Sequence, residues 1–181
     1  MRIISGTYRG RAINPPRNLR ARPTTDFAKE NLFNVLGNIV DYEESDVLDL
    51  FAGTGSISYE FASRGARSIT SVEINPVHYD FIRRTARDLG ATNIYPIKAN
   101  AFLYLKNCPK SFDVVFSDAP YDLEGAEEIV SLVLSGDILR EEGIFIFEHS
   151  GRKDFSDNEY FWQLRSYGSV NFSFFRKQKK L

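Results

Sequence analysis

A single cysteine, Cys108, stands among the 181 residues of this sequence. No disulfide can form within the chain, and a cysteine-based metal site would have too few ligands. No apolar run approaches the roughly 20 residues that cross a bilayer. The opening, Met1-Arg2-Ile3-Ile4-Ser5-Gly6, has neither the long apolar core nor the small-residue cleavage site of a secretory signal. Internal repeats and low-complexity tracts are missing as well. These absences point to a cytoplasmic protein with no membrane partner and no metal. The composition, 43% apolar and 26% charged, is that of a globular chain long enough for one sizeable core.

Net charge is −1, so the overall balance names no partner, but its distribution is uneven. Residues 1–25 hold six arginines (Arg2, Arg9, Arg11, Arg17, Arg20, Arg22) and no acid. The far end adds Arg176, Lys177, Lys179 and Lys180, while the body between carries a balance of −11. Cationic ends on an acidic body suit an anionic polymer. A pair of simply solvated polar ends has the same pattern.

Residues 1–13 alternate around Gly6 and Gly10 and read as a short β-hairpin, followed by a loop broken at Pro15, Pro16 and Pro23. A helix is predicted from Asp26 to about Gly37. From Asp46 onward, strand-length apolar runs at 46–51, 68–74, 93–97, 113–117 and 143–148 alternate with helical segments near 56–64, 76–89, 100–107 and 124–135. Asn75-Pro76 is a helix start, with asparagine as cap and proline in the first turn. Such alternation gives a parallel sheet covered on both faces. Residues 160–176, turning at Gly168-Ser169, read as a closing antiparallel hairpin. The expected architecture is therefore α/β and Rossmann-like: a mainly parallel seven-stranded sheet with a C-terminal antiparallel hairpin. Residues 1–25 form an N-terminal hairpin and arm, and residues 26–181 the main domain.

Two places carry chemistry. The first strand ends in Asp49-Leu50-Phe51-Ala52-Gly53-Thr54-Gly55-Ser56, a glycine turn that lets backbone approach a ligand. It departs from a dinucleotide fingerprint, because the third glycine position holds Ser58 and Asp49 precedes the turn. A carboxylate there repels a pyrophosphate but attracts an ammonium, which disfavours a nicotinamide oxidoreductase. Glu73, ending the next strand 18 residues past Gly55, is placed to accept from both hydroxyls of a ribose. Asn100 and Ala101 follow the third strand. Asn100 would face an adenine edge, with Ile74 and Ala101 on the ring faces; a helix cap is the other reading of Asn100. The set fits S-adenosyl-L-methionine.

The second place is Asp118-Ala119-Pro120-Tyr121, after the buried strand ending at Ser117. An exocyclic amine is a weak nucleophile because its lone pair is delocalised into the ring. The Asp118 carboxylate and the Ala119 carbonyl would accept its protons and favour pyramidal nitrogen. Pro120 would stiffen the loop and Tyr121 would stack on the base.

Asp-Leu-Phe-Ala-Gly-Thr-Gly-Ser, followed 69 residues later by Asp-Ala-Pro-Tyr, resembles the amino-methyltransferases with an Asp/Asn-Pro-Pro-Tyr/Phe motif. Arg2-Ile3-Ile4-Ser5-Gly6, Arg9-Gly10-Arg11, Arg22-Pro23-Thr24-Thr25-Asp26 and Glu30-Asn31-Leu32-Phe33-Asn34 narrow this: the chain resembles the bacterial 16S rRNA guanine-N2 methyltransferases of the RsmD family. The resemblance implies a class I methyltransferase fold and methylation of a guanine 2-amino group in 16S rRNA of a partly assembled small ribosomal subunit, by a monomer. It also implies cofactor roles for Asp49, Gly53, Gly55 and Glu73, catalytic roles for Asp118, Pro120 and Tyr121, and a site border made by Arg22, Thr24 and Thr25. Arg9 and Arg11 are expected to contact RNA phosphates. Two positions depart from the family: Ala119 replaces a usual proline, and Phe27 a usual basic residue. DNA adenine-N6 or protein glutamine methylation, and a non-catalytic RNA-binding assembly factor, are the alternative readings. His78 is read as a surface residue, His149 as a strand-end residue with a site role as the lesser reading, Cys108 as an inert thiol, and Trp162 with Phe172, Phe174 and Phe175 as hairpin core.

Overall fold

Thr25 starts the first helix, α1 (Asp26–Leu36), because its Oγ1 accepts from the Ala28 N–H at 3.1 Å. The computed structural model describes residues 1–19 and 24–178. Strands and helices then alternate: β1 (Asp46–Leu50), α2 (Ser56–Ser63), β2 (Ser68–Glu73), α3 (Pro76–Leu89), β3 (Ile94–Lys98), α4 (Ala101–Asn107), β4 (Phe112–Ser117), α5 (Ala126–Ser135), β5 (Leu139–His149), β6 (Phe161–Tyr167) and β7 (Val170–Arg176). Asn75 caps α3 as expected, its Oδ1 accepting from Val77 N and His78 N, and left-handed Gly90 ends it.

All seven strands form one sheet in the order β3-β2-β1-β4-β5-β7-β6. β1 to β5 pair in parallel, and β7 runs antiparallel to both neighbours. Strand order reverses between β1 and β4, so their carboxyl ends flank the crevice where ligands bind in open α/β sheets. Alternation along the strands feeds two cores. Val47, Val114, Phe116, Ile144, Ile146, Phe172 and Phe174 face residues of α1, α2 and α3. Leu48, Leu50, Val115, Phe145, Phe147 and Phe175 face residues of α4 and α5.

Two boundaries differ from the sequence pattern. β5 begins at Leu139, not near 143, because its charged start bulges at Glu142 (φ 62°) before rejoining β4 at Ile144. The amino-terminal hairpin is reduced to one bridge, Arg2 with Ala12, supported by Ile3 N to Arg11 O (3.0 Å) and Ile13 N to Met1 O (2.9 Å). Its Ile3 and Ile13 are buried in the main core. The α2 carboxylate Glu60, fully buried, accepts from the Ile4 and Ser5 N–H groups at 2.9 and 3.1 Å and so ties this segment down. No helix among the described residues is long and apolar enough to cross a membrane.

Candidate active site

A cavity of about 550 Å³ opens at the carboxyl ends of β1, β2, β4 and β5. That volume lies in the range of small-molecule sites. Five carboxylates line it: Asp49, Glu73, Asp118, Asp122 and Glu148. No lysine or arginine is among its described lining residues.

Asp49 is only 1% exposed, and its Oδ2 accepts from Ser58 Oγ at 2.6 Å. Burial, with a smaller contribution from the charge of Glu73, pushes its carboxyl up to about 7, against the pull of the Ser58 hydrogen bond. Phe51 then takes a positive φ of 56°, a conformation that costs a non-glycine residue energy and is concentrated at functional turns. Gly53 (φ 57°) donates its N–H to Glu73 Oε2 at 2.7 Å, while Asn75 N donates to Glu73 Oε1 at 2.8 Å. The glycine turn and the second strand are thereby locked to one carboxylate. Gly55 (φ 88°) starts α2, and a Cβ there would meet the Tyr59 ring at 2.6 Å.

On the other side of the switch point, Asp118, Ala119, Pro120 and Tyr121 all border the cavity. Glu148, at the end of β5, is 4% exposed and accepts from Thr24 Oγ1 at 2.8 Å and from Tyr121 OH at 3.4 Å. Thr24 and Thr25 line the same wall, with the Thr25 hydroxyl engaged as the α1 cap.

Of the residues singled out from the sequence, Asp49, Gly53, Glu73, Ile74, Thr24, Thr25 and the four of the Asp-Ala-Pro-Tyr run converge on this cavity. Gly55 shapes the turn from behind it. Asn100 and Ala101 lie outside the lining: Asn100 Oδ1 caps α4 by accepting from Leu103 N at 3.1 Å, and Ala101 is buried. Arg9 and Arg11 are exposed on the hairpin and do not border the cavity, and Arg22 lies outside the described residues, as do Arg20, Lys179 and Lys180.

The two histidines sit differently. His78 is not a surface residue: it lines the cavity with its Nδ1 3.9 Å from Glu73 Oε1, because the first turn of α3 packs beside the end of β2. His149 is core, stacked on Phe147 and bonded through Nε2 to Ser173 Oγ at 2.8 Å; burial lowers its pKa. Trp162 is 40% exposed on edge strand β6, whereas Phe172, Phe174 and Phe175 are fully buried. Sequence reasoning missed Glu148. The signal was present, since an acid ends an apolar strand at the edge where Asp49, Glu73 and Asp118 also lie.

A family model described as conserved hypothetical protein 95 matches residues 1–176. The ribosomal RNA small subunit methyltransferase D of Buchnera aphidicola is 32% identical over 148 residues, covering 82% of this chain and 75% of that protein. The solved structure of Escherichia coli yhhF is 28% identical and superposes with a TM-score of 0.86 over 99% of both chains. A Thermus thermophilus 16S rRNA N2 methyltransferase, solved with AdoMet and guanosine, shares the fold at 20% identity, with a TM-score of 0.71 over 88% of this chain and 45% of that one. With the family match extending over nearly its whole length, the chain belongs to the ribosomal RNA small subunit methyltransferase D family and has the Rossmann-like methyltransferase fold.

Proposed function

We propose that this protein transfers a methyl group from S-adenosyl-L-methionine to the exocyclic 2-amino group of a guanine in 16S rRNA. The observation that carries this reading is the convergence on one cavity of the glycine turn with Asp49 and Glu73 and of the Asp118-Ala119-Pro120-Tyr121 run. Carboxylates so placed suit two things at once: a cationic ligand and the donor-rich edge of a base. The glycine turn, the buried Asp49 and the ribose-facing position of Glu73 fit S-adenosyl-L-methionine, with Asp49 holding the ammonium, Glu73 the ribose hydroxyls and Ile74 the adenine face. When bound, this cofactor supplies an electrophilic methyl carbon on a sulfonium.

The chain's own groups then prepare the nucleophile. The Asp118 carboxylate and Ala119 carbonyl accept the two amine hydrogens, drawing the lone pair out of the ring. Asp118 is the acceptor for the proton released when nitrogen forms its new bond. Tyr121 stacks on the base, and Pro120 limits loop motion. Residues 1–25 act as an arm on the 26–181 body, with Arg9, Arg11 and Arg22 contacting phosphate of a partly assembled small subunit, and Thr24 and Thr25 bordering the base. The protein works in this scheme as a cytoplasmic monomer.

The test is methyl transfer from isotope-labelled cofactor to small-subunit particles from a strain lacking the gene, followed by nucleoside analysis. Label in N2-methylguanosine of 16S rRNA is the expected result. Label in another nucleoside, or only in protein, overturns it.

A further inference from the structure

We infer that Phe27 and Tyr167 form a stacking platform at the lip of the cavity for the base of a nucleotide next to the methylated one in the same RNA strand; this rests on the methyl-transfer reading above. Two elements bring the rings to the lip. α1 begins at the cavity wall, where Thr24 and Thr25 line it, and Phe27 stands in its first turn. Tyr167 ends β6 as the cross-strand partner of Val170, which also lines the cavity. Such partners lie about 5 Å apart. The two rings meet edge to face, with centroids 6.2 Å apart and planes at 87°.

Phe27 is 65% exposed, whereas α1 buries Ala28, Leu32, Phe33 and Leu36 in the core. Tyr167 packs inward on Phe172, with centroids 6.1 Å apart, so it braces Phe27 and leaves most of that ring open. A perpendicular pair makes a corner in which a flat ring can lie on one face while its edge meets the other. The charges around the corner decide its occupant. Arg165, exposed, lies two residues before Tyr167 and so on the same face of β6. Arg2, also exposed, is tied to the start of α1 by its N–H on Asp26 Oδ1 at 3.4 Å, and Asp26 is itself 3.9 Å from Lys29. Aromatic faces beside guanidinium groups match a nucleotide, which has both a base to stack and a phosphate to pair. An apolar peptide would use the rings and leave the cations unmatched. Holding the neighbouring base outside the wall also keeps it from restacking on the base inside, which lowers the cost of extruding the target.

The experiment titrates the full chain, saturated with S-adenosyl-L-homocysteine, with single-stranded RNA pentamers that carry a central guanine. Each neighbour of that guanine is in turn an ordinary base, an abasic site or 2-aminopurine, whose fluorescence is quenched by stacking. One neighbour should be quenched on binding, and removing its base should weaken binding about tenfold, the scale of one stacked base. Phe27→Ala should weaken the intact pentamer by the same factor, abolish the quench and leave the abasic pentamer unchanged, whereas Phe27→Trp should behave as the parent. In methylation of small-subunit particles, Phe27→Ala should raise KM about tenfold with little change in kcat. Parent protein that does not distinguish intact from abasic pentamers, or equal weakening of both by Phe27→Ala, overturns the platform. So does a loss confined to the particles, which would assign the two rings to a protein partner. If the parent protein places no N2-methylguanosine in the particles, the methyl-transfer reading falls, and the pentamer comparison still decides the platform.

Discussion

Asp49 carries a conflict at the scale of one side chain: the carboxylate expected to meet a cation is buried beside another acid, Glu73, and titrates at about 7. Its raised value means that the ligand-free fold favours the protonated form. The stability this group contributes is fully present below the unfolded carboxylate pKa and is lost as pH rises through about 7. A cationic ligand needs the ionised form, so binding below that value releases a proton. Affinity for S-adenosyl-L-methionine should therefore rise about tenfold from pH 6 to pH 8. Calorimetry at pH 6 in buffers of different ionisation enthalpy should show close to one proton released, and Asp49→Asn should abolish both effects. A pH-independent affinity in the parent protein would remove Asp49 from the ammonium site. Asp118 belongs to a different step. Asp118→Ala should lower single-turnover methylation of small-subunit particles by about 10²–10³ while cofactor binding survives, and transfer at the parent rate would refute its role. Ala119→Pro should be tolerated, since only its carbonyl is used.

At the scale of elements, the site depends on parts that hold other parts in place. The amino-terminal hairpin is fixed through α2: Thr7 N donates to Ser63 O at 2.7 Å, Tyr8 N to Ser63 Oγ at 2.9 Å, and Glu60 accepts from Ile4 and Ser5. Lys29, 1% exposed, donates from α1 to the Arg2 carbonyl at 2.6 Å and lies 3.8 Å from Glu60; burial lowers its pKa against the pull of that acid. Gly6 and Gly10 both have positive φ (85° and 82°), but only at Gly6 would a Cβ run into the Ser63 carbonyl; at Gly10 nothing lies within 4 Å. Gly10→Ala should cost about 1 kcal/mol of backbone strain. Gly6→Ala should cost clearly more, and its excess in a denaturant titration measures the docking of the hairpin. Equal losses would mean that the hairpin is not anchored there. Much of this level was legible: the strand ends that deliver Asp49, Glu73 and Asp118 follow from hydrophobic alternation and glycine turns, which are local. Glu148 carried a signal, an acid near the end of an apolar strand, but its place beside Asp118 waits on β5 pairing with β4, and His78 reaches the cavity only because the first turn of α3 packs beside β2. The fused start of β5 was hidden by the charged run Arg140-Glu141-Glu142, which looks like loop until Glu142 N finds the Lys177 carbonyl at 2.7 Å.

For the whole molecule, charge is divided between surface and site. The cavity is acidic, while the amino-terminal segment, docked on α1 and α2, exposes Arg2, Arg9, Arg11 and Arg17 without a compensating acid in residues 1–25. An RNA approaching this protein would find its phosphates attracted to the arm and repelled by the acidic wall, whereas the donor edge of an extruded base is accepted inside. Repulsion of phosphate from the cavity would thus help a single base to enter while the backbone stays outside. Such binding releases counterions, and for single-stranded RNA each lost phosphate contact lowers the slope of log affinity against log salt by about 0.7. Replacing Arg9, Arg11 and Arg17 together by glutamine should reduce that slope by about 2 and weaken RNA binding at low salt. Cofactor affinity should be unchanged, because none of the three borders the cavity. Neutralising Lys110, exposed before the start of β4 at the opposite edge of the sheet, is the control and should leave the slope where it was. If the triple variant binds small-subunit particles with the parent slope, the arm is only a solvated surface and the RNA is held by another face.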